Sequence, residues 1–436
     1  MPGRSSELIE GILAGRFAGP DAPQPVAVGI RSVVIEEDLR GAEAELVRGL
    51  GFGRRLAVVF DPDTERAMGD RVRKALASGA EVTTVLLPLR PRADQETADA
   101  IRERAERSDA FIAVGSGTVG DLCKLAAHRG GKPCAVFGTA PSMNGYASRN
   151  ASITVKGLKQ TLSTRVPEGI FLDLKVLAAA PPRMIAAGLG DSICRTTCQA
   201  DWLMSHLLLG TQYSELPYRW LAPLERELSD QVEGLVHGDL GAVRVLTEIL
   251  VLSGLGMTVC GSSSPASQGE HLISHYIDML GPGGSPASLH GEQVAVATLT
   301  MSRIQERMLG LERVVLHPDL EDQASVLARY GKDLGPLCWE EFERKRLTGA
   351  RLEEANDKLG RSWSRLRATV SAVSRSTESV YAALRGVGAP LFPADLGFSA
   401  AFYGEAVRHA REIRGKFTFL DLAAGCGLLT KMEGLA

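Results

Sequence analysis

This sequence of 436 residues has little net charge and no long apolar run, and each absence excludes a class of protein. A formal net charge of −3 leaves no broad electropositive surface, so we do not expect general nucleic-acid binding. No uninterrupted apolar run approaches the roughly 20 residues that a bilayer-spanning helix requires, so we do not expect membrane insertion. The first 16 residues carry Glu7 and Glu10 and lack a long apolar core, which argues against a signal peptide.

Cysteine is also scarce and irregularly placed. The seven cysteines are an odd number scattered through apolar segments, which favours reduced thiols in the cytoplasm. Cys194 and Cys198 lie four residues apart, but no second pair gives zinc-finger spacing. We therefore interpret all seven as small buried hydrophobic residues. There is no internal repeat or low-complexity tract, and 44% hydrophobic residues with 23% charged residues are ordinary for a soluble protein of two domains.

Two halves of different character follow from the apolar pattern. Before residue 180, strands alternate with helices, which predicts a parallel sheet with helices on both faces. The predicted strands are 26–35, 54–60, 82–87, 110–114, 133–137 and 170–172, and the predicted helices are 64–77, 94–107 and 118–128. After Pro181-Pro182 nearly every segment has helical periodicity, including 184–209, 241–251, 294–307 and 351–384. The predicted organisation is an N-terminal extension (1–25), an α/β domain (26–180) and an all-helical domain (181–436).

Three of the eight histidines fall within twenty residues. His271 and His275 lie four apart in a predicted helix, 270–279, so both imidazoles project from one face, and His290 opens the next helical run. Converging imidazoles are common ligands of divalent metals. The pattern differs from the zincin motif, because Glu270 precedes both histidines. The alternative is a set of surface or capping histidines, and a catalytic metal site would also need a third ligand, such as a carboxylate.

A glycine-rich loop follows one of the predicted strands and opens a helix. Gly115-Ser116-Gly117-Thr118-Val119-Gly120 matches G-x-G-x-x-G, in which backbone N–H groups and the helix dipole favour a phosphate. The loop follows the third or fourth strand instead of the first, and the candidate ribose-reading acid, Asp61, lies upstream of it. The alternative is a tight strand-to-helix turn without a ligand.

A second loop rich in hydroxyl and amide groups, 138–148, follows the next strand. Because the carboxyl ends of parallel strands share one edge of the sheet, we expect both loops to open into the same crevice. Asp191 is predicted at or near the N-cap of the first helix of the helical half, where capping alone would explain it. It could also reach a metal held by the later histidines.

Together these segments resemble the iron-dependent alcohol dehydrogenase, glycerol dehydrogenase and dehydroquinate synthase superfamily, in particular its sn-glycerol-1-phosphate dehydrogenase branch of AraM-like proteins. The resemblance covers roughly residues 26–310, and a weaker similarity extends to residues 418–422. The motifs appear in family order: Gly115-Ser-Gly-Thr with Asp121 and Lys124, Thr139-Ala-Pro-Ser-Met with Gly145-Tyr146, Ala186-Ala-Gly-Leu-Gly-Asp191, Ala200-Asp201-Trp202, Pro265-Ala-Ser with Glu270-His271 and His275, and His290-Gly-Glu.

The resemblance implies a fold, ligands and cofactors. The fold would be a Rossmann-like nucleotide-binding domain followed by an all-helical metal-binding domain, as in dehydroquinate synthase. Asp191, His271 and His290 would bind one divalent metal: zinc, iron(II) or nickel. NAD or NADP would be held by Asp61, Gly115, Ser116, Gly117, Thr118, Asp121, Thr139, Ser142 and Ser148. Asp61 favours NAD, because its carboxylate would repel a 2′-phosphate.

The implied reaction is the reduction of dihydroxyacetone phosphate, or a similar polyol-phosphate ketone, to sn-glycerol 1-phosphate. The metal would polarise the carbonyl, NAD(P)H would deliver hydride, and His275 would face the nicotinamide and substrate and relay a proton. Lys156, Lys159 and Arg165 are candidates for the phosphate, Lys159 first, with a solvated strand edge as the alternative.

The chain departs from the family at three places. Asn144 stands where relatives usually have an aspartate against the substrate hydroxyls, Arg195 stands where many have lysine, and 319–378 does not align.

Other functions remain open at this stage. A dehydroquinate-synthase-like cyclase or phosphate lyase would share the scaffold, NAD and metal, but would return the hydride within one turnover. A non-catalytic sugar-phosphate sensor and a metal-free α/β protein are further alternatives. The segment 420–430 looks like the first S-adenosylmethionine-binding motif of methyltransferases, but we interpret it as a terminal helix that ends at glycine. The family favours a homo-oligomer, a dimer, which would act on a small phosphorylated molecule.

Overall fold

The computed structural model describes residues 4–17, 27–155, 158–281 and 288–429. By its internal contacts the chain divides into two compact units. Unit 1 comprises 1–192 and 216–262, and unit 2 comprises 193–215 and 263–436. The change from strands to helices near residue 181 therefore does not coincide with the division into units.

Unit 1 is built around a six-stranded parallel sheet in the order β1-β8-β5-β4-β2-β3. Its strands are β1 (Ser32–Glu36), β2 (Arg55–Phe60), β3 (Glu81–Leu86), β4 (Ala110–Gly115), β5 (Cys134–Gly138) and β8 (Gly169–Asp173). The central strands β4, β5 and β8 are buried along their whole length, as expected for a parallel sheet covered on both faces. One face packs Val58, Phe60 and Ile112 against Met68 and Val72.

An antiparallel hairpin interrupts the parallel sheet pattern. It consists of β6 (Asn150–Val155) and β7 (Leu158–Ser163), and the sequence analysis did not predict it. Lys156 lies outside the described residues, and Lys159 lies in β7 with a side chain that the structure does not describe.

Helices make up most of the rest of the chain. In order they are α1 (Arg4–Leu13), α2 (Glu43–Gly49), α3 (Pro62–Thr64), α4 (Asp70–Ala77), α5 (Gln95–Arg104), α6 (Gly117–Arg129), α7 (Leu174–Ala178), α8 (Pro182–Ile193), α9 (Arg195–Leu209), α10 (Leu216–Val236), α11 (Leu240–Cys260), α12 (Gly269–Leu280), α13 (His290–Leu309), α14 (Gln323–Lys345), α15 (Gly349–Ser371), α16 (Thr377–Gly386), α17 (Ala400–His409) and α18 (Phe419–Gly425), with a π-helical turn at Glu65–Gly69. The described residues after β8 contain no strand, which confirms the predicted helical character of that half.

Three of the helix predictions need correction, the first being that the segment 351–384 contains two helices, α15 and α16, and not one. The segment predicted as one helix, 184–209, is two helices, α8 and α9, that meet at Cys194. Asp191 was expected at a helix N-cap, but it lies in the last turn of α8. N-terminal capping therefore does not explain this carboxylate, and the negative end of the helix dipole disfavours a negative charge there.

The helix α11 is long and apolar enough to cross a membrane by length and composition alone. Arg244 and Glu248 divide this helix, so its sequence contains no uninterrupted apolar run of this length. In the structure 83% of its most apolar window is buried, which is typical of a core helix of a soluble protein. The predicted terminal helix is confirmed as α18, which ends at Gly425.

Candidate active site

The glycine-rich loop and the second loop begin side by side in unit 1. Gly115 and Gly138, the last residues of β4 and β5, are partners in the sheet register, and the Thr139 N–H donates to the Gly115 carbonyl (3.2 Å). Gly115 has no room for a side chain, because a Cβ there would lie 2.6 Å from the Val119 Cβ. Both loops therefore begin at the same edge of the sheet, as the order of the strands predicts. Ser116, Gly117 and Thr118 lie in the first turn of α6 and just before it, and Ser142 lies in the second loop.

The second loop is held from within and from the helices of unit 1. The Tyr146 hydroxyl donates to the Ala140 carbonyl (2.8 Å), and Ser148 Oγ accepts from the Asn150 N–H (3.1 Å). Thr139, Ser142 and Ser148 are all buried, at no more than 9% exposure. Hydroxyl groups held at this edge of the sheet are suited to a polar ligand such as a dinucleotide.

Asn144 connects the second loop to the predicted metal ligand Asp191. The Asn144 backbone N–H donates to Asp191 Oδ2 (2.8 Å), and its side-chain Nδ2 donates to Ser253 Oγ (3.2 Å). Asp191 is only 1% exposed. Unit 1 thus fixes a buried carboxylate and an amide beside each other.

Asp121, predicted to bind the cofactor, has protein partners that give it a structural role. Its Oδ1 pairs with Lys124 Nζ (2.8 Å), and its Oδ2 accepts from the Ser152 N–H (2.8 Å). Lys124 is buried and also donates to the carbonyls of Gly145 (3.1 Å) and Asn150 (2.6 Å). These bonds attach α6 to the second loop and to β6.

Asp61 caps the helix that follows β2. Its Oδ1 accepts from the backbone N–H groups of Asp63 (3.0 Å) and Thr64 (2.9 Å), in a capping box with Thr64. The capping bonds use Oδ1, so the predicted contact with a ribose hydroxyl would use Oδ2.

Unit 2 brings the three predicted histidines together. The ring centroids of His271 and His290 lie 5.1 Å apart, and that of His275 lies 6.2 Å and 6.4 Å from them respectively. His271 lies in the first turn of α12, His275 one turn later, and His290 is the first residue of α13. Two neutral imidazoles at this separation are a donor set that suits a divalent metal of borderline softness.

A buried polar cluster beside His271 was missed by the sequence analysis. Glu270, which has no exposure, lies between His271 and the first turn of α9. Burial raises the pKa of Glu270, but hydrogen bonds from His271 and Cys198 outweigh it and lower the pKa to about 2. Burial also raises the pKa of the Cys198 thiol well above its usual range, so this thiol is a donor. In the sequence, the one indication of this cluster is that Glu270 directly precedes His271.

Asp201 fixes the start of the histidine helix. Its Oδ2 accepts from the Gly269 N–H (3.0 Å), and its Oδ1 accepts from the Phe419 N–H (2.9 Å). Gly269 lies close to this carboxylate: a Cβ there would lie 2.9 Å from Asp201 Oδ2 and 2.4 Å from the flexible end of Met301, Cε. Burial, together with the charge of Glu270, raises the pKa of Asp201 to about 8.

Comparison with known proteins identifies the class to which this fold and site belong. Residues 34–181 match the family model described as iron-containing alcohol dehydrogenase. The fold is similar to that of maleylacetate reductase from Agrobacterium tumefaciens (TM-score 0.62, 16% identity, 93% of this chain and 97% of that one). It is also similar to a probable glycerol dehydrogenase from Sinorhizobium meliloti (TM-score 0.57, 18% identity, 92% and 97%). The Rossmann-like domain followed by a helical domain is therefore the fold of iron-containing alcohol dehydrogenases.

Comparison with sequence relatives assigns the chain to one branch of this class. The chain is 32% identical to a glycerol-1-phosphate dehydrogenase [NAD(P)+] of Bacillus licheniformis over 347 aligned residues. The alignment covers 76% of this chain and 84% of that protein. It is 34% identical over 272 residues to a protein of the same name from Pyrococcus furiosus, covering 62% and 78%. The chain belongs to the glycerol-1-phosphate dehydrogenase branch of the iron-containing alcohol dehydrogenase superfamily.

Proposed function

We propose that this protein catalyses the NAD(P)H-dependent reduction of dihydroxyacetone phosphate to sn-glycerol 1-phosphate. The observation that carries the proposal is the histidine cluster His271–His275–His290, in a chain whose relatives are glycerol-1-phosphate dehydrogenases. An oxidoreductase of this family needs a nicotinamide cofactor and a divalent metal, and the donor chemistry of the two imidazoles suits the metal.

The metal ligands in this proposal are Asp191, His271 and His290. One carboxylate and two imidazoles would accept zinc, iron(II) or nickel. When bound, the metal supplies Lewis-acid polarisation of the ketone, and the reduced nicotinamide supplies the hydride.

The cofactor-binding residues in the proposal line the edge of the sheet in unit 1. The N–H groups of the glycine-rich loop at the start of α6 face the pyrophosphate, and Asp61 accepts from a ribose hydroxyl. The remaining contacts come from hydroxyl groups of the second loop: Thr139, Ser142 and Ser148. Asp121 supports this edge by holding Lys124 and β6.

Asn144, His275 and Lys159 are the proposed substrate residues. The Asn144 amide bonds a substrate hydroxyl, and its backbone bond to Asp191 fixes its position. His275 passes a proton through water to the product C2 oxygen, because an imidazole can both accept and donate a proton. Lys159 is the first candidate for the phosphate.

We further infer a cytoplasmic homodimer that acts on a small phosphorylated molecule, without nucleic acid or membrane insertion. The nucleotide-binding role belongs to residues 26–180 and the metal-binding role to 181–436. The cyclase alternative has less support, because the named relatives at 32–34% identity are dehydrogenases.

Steady-state oxidation of NADH by zinc-loaded protein with dihydroxyacetone phosphate tests the proposal. We expect sustained turnover that Asp191→Ala and His290→Ala abolish and that His237→Ala, an exposed histidine outside the cluster, leaves intact. Tight zinc and NADH binding without turnover would contradict the dehydrogenase proposal and favour the cyclase, whose hydride returns within one cycle.

A further inference from the structure

We propose that Glu270 is a positioning residue that holds His271 in the tautomer whose Nε2 binds the metal. The inference rests on the proposed metal-binding role of His271, but it concerns a residue that makes no contact with metal or substrate in that role. Glu270 directly precedes His271 in the first turn of α12, and its side chain has no exposure to solvent.

The hydrogen bond between the two side chains determines the tautomer. His271 Nδ1 lies 2.9 Å from Glu270 Oε1. An ionised carboxylate only accepts hydrogen bonds, so Nδ1 must carry the proton. A lone pair is then on Nε2, which is the nitrogen that would bind a metal. A carboxylate bonded to the distal nitrogen also makes the imidazole a stronger donor.

Glu270 is itself held on three further sides. Oε1 also accepts from the Gln268 N–H (2.8 Å) and lies 2.9 Å from Cys198 Sγ, and Oε2 accepts from Thr197 Oγ1 (3.0 Å). A buried carboxylate is stable only when donors surround it, and these donors come from α9 and from the turn before α12. The carboxylate therefore cannot rotate away from His271 without losing several hydrogen bonds.

His290 is oriented through a serine hydroxyl and a glutamine amide instead. Its Nδ1 lies 3.4 Å from Ser274 Oγ, which donates to Gln293 Oε1 (2.8 Å). Gln293 Nε2 in turn donates to Asp278 Oδ1 (3.2 Å) and Ser288 Oγ (3.1 Å), which sets the orientation of its amide. Because the Ser274 proton is committed to Gln293, His290 Nδ1 is the donor in this contact. In both histidines the hydrogen bond lies at Nδ1; the partner at His271 is a carboxylate, and the partner at His290 is a hydroxyl.

Zinc affinity of the full-length protein, measured by competition with a chelator, tests the proposal. We expect Glu270→Leu, which removes the acceptor at similar volume, to weaken zinc binding about 100-fold, and Glu270→Gln, which retains an acceptor without the charge, about tenfold. In the zinc-loaded, ¹⁵N-histidine-labelled protein, the low-field resonance of the His271 Nδ1 proton should shift in Glu270→Gln. Unfolding midpoints of each variant separate lost folding from lost binding, and Glu270→Gln decides the test if Glu270→Leu does not fold.

The positioning role of Glu270 would be wrong if Glu270→Gln bound zinc as tightly as the wild type and left the His271 Nδ1 resonance unchanged. Asp191→Ala in the same titration tests the underlying site independently. If that variant binds zinc as tightly as the wild type, the metal assignment under the proposed function fails. If it loses zinc while the Glu270 variants do not, only the positioning role is wrong.

Discussion

At the scale of single residues, Gly188 shows how closely α8 approaches the second loop. A Cβ at Gly188 would lie 1.7 Å from the Pro141 carbonyl oxygen and 3.4 Å from Leu250 Cδ1. The backbone of the loop therefore occupies the space of a side chain, and Asn144, three residues beyond Pro141, bonds to Asp191, three residues beyond Gly188. A single missing methyl group thus permits the contact between an amide and a carboxylate of the proposed site.

We expect Gly188→Ala to lower the free energy of unfolding by about 1–3 kcal/mol, because the helix and loop must separate to admit the methyl group. The matched control is Gly49→Ala in α2 of the same unit, where no atom lies within 4 Å of the added Cβ. That variant should keep or slightly raise the free energy of unfolding, since alanine favours helix. Urea unfolding of both variants measures the difference, and equal midpoints would contradict the close approach.

At the scale of elements, α6 is fastened by the pair Asp121–Lys124. We expect Asp121→Asn to lower the free energy of unfolding by about 3 kcal/mol, because it leaves the buried Lys124 ammonium without its counter-charge. Lys124→Met combined with Asp121→Asn should cost less than the sum of the single variants, as a double-mutant cycle in urea would show.

The NADH affinity of the same variants separates two roles for Asp121. If Asp121 acts through the scaffold, the dissociation constant should follow the loss of stability and recover in part in the double variant. A dissociation constant raised equally in Asp121→Asn and in the double variant would instead support a direct cofactor contact.

The elements also show what could be predicted from sequence. Strands β2, β4 and β5 were predicted to within about two residues, because buried parallel strands form short, wholly apolar runs. The hairpin β6–β7 was missed although β6 alternates polar and apolar residues, because β6 is only six residues long and its pairing depends on a partner strand. No glycine or proline marks the break at Cys194, so α8 and α9 were predicted as one helix and Asp191 was placed at the wrong end.

The histidine cluster was visible as spacing along the chain, whereas the surroundings of Glu270 were not. Thr197 and Cys198 lie more than 70 residues before Glu270 and carry no motif. Contacts of this kind depend on tertiary packing, which local patterns do not encode.

At the scale of the whole molecule, the stretch 319–378 that resisted alignment is joined to the C-terminal part of unit 2 by buried ion pairs. Arg411 donates two hydrogen bonds to Asp319, and Lys345 Nζ lies 2.9 Å from Asp421 Oδ1. Burial raises the pKa of Asp319, but the bonds from Arg411 outweigh it, so the pKa lies below its ordinary value of 3.8. The stretch is therefore an integral part of this unit.

This network predicts a specific response to acid. A carboxyl whose pKa is lower in the folded than in the unfolded protein adds stability above its unfolded pKa, and this stability is lost as the pH falls through the folded value. Asp319→Asn should therefore cost about 3 kcal/mol at pH 7, and the difference from wild type should shrink below about pH 4. Urea unfolding between pH 2 and 7 measures it. The exposed Asp357→Asn should match wild type throughout, and a difference for Asp319→Asn that persists at pH 2 would contradict the pairing.

The division into units has a consequence for how the chain is made. The eight strands of the described residues have been synthesised by Asp173, but α10 and α11, which belong to unit 1, follow a segment of unit 2. The Thr258 hydroxyl of α11 donates to the Ala147 carbonyl (2.9 Å), so this helix covers the second loop. A nascent chain that has reached residue 192 therefore presents an uncovered apolar surface until residue 262 has emerged from the ribosome. A fragment ending near residue 181 should therefore aggregate when expressed alone. In the cell, a chaperone that binds nascent chains would have to shield this surface while the next 70 or so residues are added.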